Sequence, residues 1–311
     1  MNELDVVEYR ELIKSERKKQ FNKPFSIVYK NFCDLGYDSQ KPDFFMKNAS
    51  EYIEKMRDRC WDDYKEIEKE FTSSMLSKII DDDHLQDMTA LEGLSVIAED
   101  YDEHLYHLFL SNTQSRRSRA GKEFEYITEL LLMGAGIPFI SQAAIGKKLY
   151  VEKNLAKLID MVIPGVGEYD KNKNEAICVS SKTTLRERWQ EVPEEIDRTS
   201  LSKIYLTTLD MNISDATFDL LHENNVIVVT TKSIKKQYYN GYAEKDRIVT
   251  FEDFLKEAKR IARLWPKKRY DKELQERYVS DVKGIMEKYR KAYPYVEKYY
   301  KNLLAKFEKN I

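Results

Sequence analysis

The 311-residue chain has three cysteines, four histidines and almost no net charge, −2 at neutral pH. Each scarcity narrows what it can be. Cys33, Cys60 and Cys178 are an odd set without metal-ligand spacing, which excludes a disulfide framework and points to a reducing, cytoplasmic setting. His104 and His107 stand at helical i, i+3 spacing but have no cysteine neighbours, so they are expected as surface histidines and not a zinc site. No apolar run approaches the roughly 18 residues a membrane span needs, and the first residues, Met1-Asn2-Glu3-Leu4-Asp5, have no signal-peptide core. No internal repeat or low-complexity linker interrupts the chain. A net charge near zero does not by itself suggest a nucleic-acid partner. The charge is unevenly distributed, however, with seventeen Lys and Arg against eight Asp and Glu from residue 256 to 311.

What is present is an alternation of patterns. Residues 1–108 read as helical, with amphipathic stretches at Tyr9–Gln20, Pro42–Lys78 and Met88–Leu110. From residue 109 to 260 the pattern changes to helix 120–134, strands near 138–144, 157–163 and 175–183, helix 185–198, strand 203–209, helix 213–223 and strand 226–231. That succession predicts an α/β layer. Residues 261–311 form a basic, tyrosine-rich helical extension, expected to cap the core or contact a partner subunit. Pro193 falls inside the predicted helix 185–198, so that helix either kinks or restarts there.

One stretch carries most of the chemistry. Cys178-Val179-Ser180-Ser181-Lys182 is an apolar strand running into a lysine, followed by Thr183-Thr184-Leu185 and the triplet Arg186-Glu187-Arg188. Upstream, Asp160 sits within the apolar run Leu158–Pro164, and Glu194 and Glu195 lie downstream. Carboxylate oxygens suit a hard divalent cation, and an ammonium beside them suits charge developing at a phosphodiester. From spacing alone, the same residues equally describe a surface lysine at a strand end and an acidic helix start.

The segment Ser115-Arg116-Arg117-Ser118-Arg119-Ala120-Gly121-Lys122-Glu123-Phe124-Glu125, then Ile159-Asp160, then Ser181 to Trp189, resembles the type II restriction endonucleases of the EcoRII, PspGI and SsoII group. The resemblance covers roughly residues 110 to 260 and implies a PD-(D/E)XK restriction-endonuclease-like core, a central mixed sheet flanked by helices. It also implies Mg2+-dependent hydrolysis of double-stranded DNA at CCNGG, on the 5′ side of the first C. The same resemblance assigns the metal to Asp160 and Glu195, with Glu191 and Glu194 as neighbouring carboxylates, a catalytic role to Lys182, and a third active-site carboxylate to Glu125. The position two before Lys182, often acidic in this fold, is Ser180.

The triplet has its own chemistry. Arginine matches the O6 and N7 acceptors of guanine, and glutamate accepts from the cytosine amino group, so Arg186, Glu187 and Arg188 suit adjacent G·C pairs. The alternative is a helical ion-pair run in a chain with 34% charged residues. The resemblance adds a homodimer with one triplet per half-site, extrusion of the central nucleotides into a pocket of Arg57 and Trp61, and a cognate DNA methyltransferase acting on the same site. Arg116, Arg117 and Arg119 are expected as phosphate contacts. The competing functions are a related nuclease with another GG/CC-containing site, and a DNA-binding protein of nuclease-like fold that does not cut.

Overall fold

Short, almost wholly apolar runs bounded by polar caps favour strands buried on both faces, which is how parallel strands read. In the computed structural model, which describes residues 5–79, 88–145, 159–185, 196, 201–239, 248–265, 270–289 and 291–309, they form one six-stranded sheet. Its strands are β1 (Ile140–Ser141), β2 (Met161–Ile163), β3 (Ile177–Lys182), β4 (Ile204–Thr208), β5 (Val226–Thr230) and β6 (Ile248–Thr250), in that spatial order. β1, β2 and β3 pair antiparallel, and β3 to β6 run parallel, so the sheet is mixed. Ile177, Cys178, Val179 and Ser180 are all buried, as are all five residues of β4.

The helices are α1 (Val6–Gln20), α2 (Pro24–Asp34), α3 (Pro42–Leu76), α4 (Ala90–Asp100), α5 (Asp102–Gly134), α6 (Gln142–Ile145), α7 (Val166–Lys171), α8 (Asp215–Glu223), α9 (Lys232–Tyr238), α10 (Phe251–Leu264), α11 (Lys272–Tyr289) and α12 (Pro294–Lys309). Their starts carry the expected chemistry. Asp5 accepts from the Glu8 N–H at 2.8 Å, Thr89 and Glu92 make a reciprocal capping box, and Thr250 accepts from Asp253. Pro294 opens α12 at the one place in a helix where a missing N–H costs nothing. None of the described helices is long and apolar enough to cross a membrane.

The contacts divide the chain into two units, residues 1–31 with 57–123, and residues 32–56 with 124–311. The first is wholly helical among its described residues, built around Tyr9, Ile13, Phe71, Met75 and Leu108. His104 belongs to this unit and is buried against the rings of Tyr9 and Tyr101, so it is not the surface histidine expected from sequence. The second unit holds the sheet. There α10 turns Phe254, Leu255, Ala258 and Ile261 inward, with Phe254 against Tyr205 of β4.

Three differences from the predicted elements stand out. The helix expected over 88–110 breaks at Tyr101, and beyond the break runs a single 33-residue helix, α5, that absorbs the arginine run and the predicted helix 120–134. α5 ends in a Schellman motif: Gly136 takes the left-handed conformation (φ 69°) while the Ile137 N–H reaches Leu132 O and the Gly136 N–H reaches Met133 O. That turn feeds β1, which is two residues long where a strand over 138–144 was expected. β6 was not predicted at all. In the C-terminal extension, α11 is tied to α7 by the Arg277–Asp170 ion pair, Lys171 pairs with Asp271 just before α11, and the Trp265 indole N–H donates to the Glu175 carbonyl at 2.8 Å.

Candidate active site

The antiparallel register of β2 on β3 decides which residues meet. Met161 pairs with Val179, so Asp160, one residue earlier, lies beside the C-terminal end of β3. Its backbone continues the sheet, with its N–H donating to Val179 O at 2.8 Å and its C=O accepting from Gln142 N at 2.9 Å. Its side chain then has one direction to go. The Asp160 Oδ2 accepts the Ser181 backbone N–H at 2.7 Å and stands 3.8 Å from Lys182 Nζ. Both side chains are nearly buried, at 11% and 13% exposure. Two residues far apart in sequence thus have their backbones held side by side by main-chain hydrogen bonding.

The other face of β3 is closed. Ser181 Oγ is hydrogen-bonded to Thr207 Oγ1 at 2.9 Å, across the parallel β3–β4 pair in which Lys182 faces Thr208. Ser180, at the position often acidic in this fold, is completely buried, so carboxylates beyond Asp160 have to come from elsewhere. Glu125 lies on α5 in the same unit as Asp160 and Lys182, half-buried, one residue after the buried Phe124. Glu195 and the triplet Arg186, Glu187 and Arg188 lie outside the described residues. Among the described residues, no three His, Cys, Asp or Glu side chains gather into a metal-binding group.

Arg57 and Trp61 are brought together as their i, i+4 spacing predicts. The Arg57 guanidinium carbon is 5.7 Å from the Trp61 ring centre, and that of Arg116 is 5.8 Å away. Trp61 also stacks on Tyr64, with centroids 5.6 Å apart and planes 11° from parallel. These residues belong to the helical unit.

The three arginines expected at phosphates behave differently from one another. Arg117 is exposed. Arg116 is half-exposed but held by the Glu68 carboxylate through Nε and Nη2. Arg119 is buried, its Nε donating to Glu123 at 2.7 Å and its Nη2 to the Asn22 carbonyl at 2.9 Å. The expected phosphate contact at Arg119 does not fit this geometry, because the guanidinium is enclosed and its Nε and Nη2 are engaged within the protein. Burial raises the Glu123 carboxyl above its ordinary range, and the Arg119 hydrogen bond and charge pull it back. Sequence could not separate the three arginines, since their burial depends on which face of α5 each one occupies.

The model of the EcoRII C-terminal family matches residues 78–255. The type II restriction enzyme SsoII of Shigella sonnei is 49% identical over 306 residues, 98% of this chain and 99% of that protein. Among solved structures, metal-depleted Ecl18kI in complex with uncleaved DNA superposes with a TM-score of 0.89 at 47% identity, covering 97% of this chain and all of that one. A complex of the restriction endonuclease PspGI with substrate DNA matches at a TM-score of 0.56 and 17% identity, over 79% of this chain and 95% of that one, a likeness of fold. The fold is therefore that of the restriction endonucleases, as expected. With its family model covering more than half of its length and a near-full-length relative at 49% identity, the chain belongs to the EcoRII C-terminal family and is an SsoII-like type II restriction endonuclease.

Proposed function

We propose that this enzyme is a homodimer that cuts double-stranded DNA at CCNGG with Mg2+, on the 5′ side of the first C. The observation that carries the chemistry is the Asp160–Lys182 pair, fixed at the ends of β2 and β3 by the Ser181 N–H. Asp160 offers the hard carboxylate oxygen that magnesium prefers, and Glu195 would hold the metal with it, with Glu125 as a third active-site carboxylate. When bound, the metal would lower the pKa of a water and offset charge on the phosphate. Lys182 orients the attacking water and offsets charge at the phosphorus, its Nζ standing 3.8 Å from Asp160. The Ser181 N–H holds the Asp160 carboxylate in place.

Specificity comes from the segment after Lys182. Arg186, Glu187 and Arg188 read the two G·C pairs of each half-site in the major groove, and a two-fold dimer supplies both halves. Arg57 and Trp61, with the guanidinium carbon 5.7 Å from the ring centre, receive the extruded central nucleotide, where stacking contributes about 1–3 kcal/mol. Arg117 is the exposed phosphate contact of the arginine run, with Arg116 joining it if its pairing with Glu68 opens on DNA. DNA complexes of Ecl18kI and PspGI support a duplex partner, and a methyltransferase acting on the same site is the expected cellular companion.

Digestion of a fully sequenced plasmid, with and without Mg2+, together with sequencing of every end, tests the proposal. Discrete metal-dependent ends at CCNGG are expected. Discrete ends elsewhere would overturn the specificity, and an intact plasmid would overturn the activity.

A further inference from the structure

Past Lys182 the β3–β4 ladder does not simply stop. The Leu209 N–H reaches the Thr183 carbonyl at 3.3 Å, and the Leu185 N–H then donates to Asp210 Oδ2 at 2.7 Å. Leu185 is the residue directly before Arg186. Asp210 is itself held from several directions. Its backbone N–H donates to Thr208 Oγ1 at 3.1 Å, its Oδ1 accepts the Asn212 N–H at 2.9 Å, and its carbonyl accepts the Tyr239 hydroxyl at 2.7 Å, which in turn accepts the Ile213 N–H at 3.1 Å. Asp210, Leu185, Tyr239 and Thr208 are all buried. A carboxylate accepting two main-chain N–H groups in a buried setting is a stiff joint, because either lost hydrogen bond leaves a buried polar group unmet.

We propose that Asp210 is the positioning residue of the base-reading triplet. It clamps the chain at Leu185, the residue directly before the triplet, in a position fixed relative to Lys182. This rests on the reading of the triplet as the base-contacting element. Thr208 supports Asp210 from below and is the β4 partner of Lys182 in the sheet register, so one short stretch, Thr208 to Asp210, references both the catalytic lysine and the start of the triplet. Reading and cutting are thereby tied to a common frame. A displacement of about 1 Å at the joint is enough to spoil bidentate hydrogen bonds to a base edge, whereas phosphate contacts and general DNA affinity tolerate it.

The test uses full-length Asp210→Ala and Asp210→Asn. Single-turnover cleavage is measured on a CCNGG duplex and on one with an inner G·C pair replaced, alongside affinity for an unrelated duplex at fixed salt and a thermal melt. Asp210→Ala is expected to reduce discrimination between the two duplexes about tenfold or more while unrelated-duplex affinity stays within about twofold. Asp210→Asn keeps one acceptor oxygen, and a smaller loss is expected. In an Arg188→Ala background, Asp210→Ala is expected to cost less than about twofold further, since it acts through the triplet. Equal losses on both duplexes that track the melt would overturn the proposal in favour of a plain structural brace. So would losses in Asp210→Ala and Arg188→Ala that multiply. Discrimination lost in Arg188→Ala yet kept in Asp210→Ala would sink the proposal alone, whereas discrimination unaffected in Arg188→Ala would remove the base-reading assignment and the proposal with it.

Discussion

Two cation–carboxylate pairs, one in each unit, are held in contrasting ways. In the helical unit, Arg119 and Glu123 are one helical turn apart, 2.7 Å in separation and enclosed, with a further guanidinium donor reaching a main-chain carbonyl. In the sheet unit, Lys182 and Asp160 are brought together by strand pairing and stop at 3.8 Å, with the carboxylate taking a main-chain N–H instead. The first pair is closed on itself. Its charge is compensated within the protein, and it works as a structural tie. The second pair sits at strand ends and is not closed by a direct hydrogen bond, which is the arrangement that the proposed reactive centre needs. Proximity of opposite charges does not distinguish a brace from a reactive centre. On the proposed reading, distance and the identity of the third partner do.

Removing the sheet pair puts the contrast under the greatest strain. Lys182→Ala is expected to reduce single-turnover cleavage by about 10³-fold or more while leaving DNA binding intact. A binding assay with the cleavage rate checks both halves, and loss of binding would show the lysine to be a docking contact instead. Next in size is the helical pair. Arg119→Ala leaves the Glu123 carboxylate buried without its cation and is expected to cost about 3–5 kcal/mol of stability, read by urea unfolding, with cleavage per folded molecule nearly unchanged. Comparable stability losses from both variants would erase the distinction between tie and reactive centre.

A third pair, again in the sheet unit, shows a carboxylate held as a tie by strong hydrogen bonds. Glu252 accepts the Ser50 N–H at 2.9 Å and the Ser50 hydroxyl at 2.7 Å, and pairs with Lys232 at 3.0 Å. Burial pushes its carboxyl upward, but the hydrogen bonds to Ser50 and Lys232 prevail and hold it below its ordinary value. A folded pKa below the unfolded one stabilises the protein above the unfolded carboxylate pKa, about 4.3, and that contribution fades as pH falls through the folded value. Glu252→Gln is therefore expected to cost about 1.5–3 kcal/mol at pH 7 and progressively less towards about pH 3, monitored by thermal melts across that range. A loss independent of pH would show the site to depend on packing alone. The smallest of these effects is Arg188→Ala, expected to cost about 1–3 kcal/mol of discrimination at one G·C pair, measured by cleavage of singly substituted sites. Equal weakening on every sequence would make Arg188 a phosphate contact.

The core strands could be read from the chain because buried parallel strands are written as continuous apolar runs, and Ile177–Val179 and Ile204–Leu206 have few other uses. Arg57 and Trp61 could be paired because a helix fixes i, i+4 neighbours. The full length of α5 could not, since Gly121 and the arginines look like a boundary. Arginine is nonetheless a good helix former, and Gly121 sits in open space where its penalty is about 1 kcal/mol. β6 escaped notice because three residues, Ile248 to Thr250, carry no measurable period, and it exists by pairing with β5. Asp210 gave no signal at all, since its meaning is a hydrogen bond to a residue 25 positions away.

Residue order alone therefore determined the local facts: which apolar runs become the core strands, which helical neighbours meet at Arg57 and Trp61, and that an aspartate and a lysine stand at strand ends with an arginine-glutamate-arginine triplet following in sequence. The tertiary structure decided the relations. It chose a register that sets Asp160 against Ser181 and Lys182, a helix face that buries Arg119 and exposes Arg117, and a loop that fastens Asp210 to Leu185. Local patterns arise from backbone geometry within a few residues. Register, enclosure and long-range hydrogen bonds are settled only when the whole sheet closes, because each depends on where the other strands and helices come to rest.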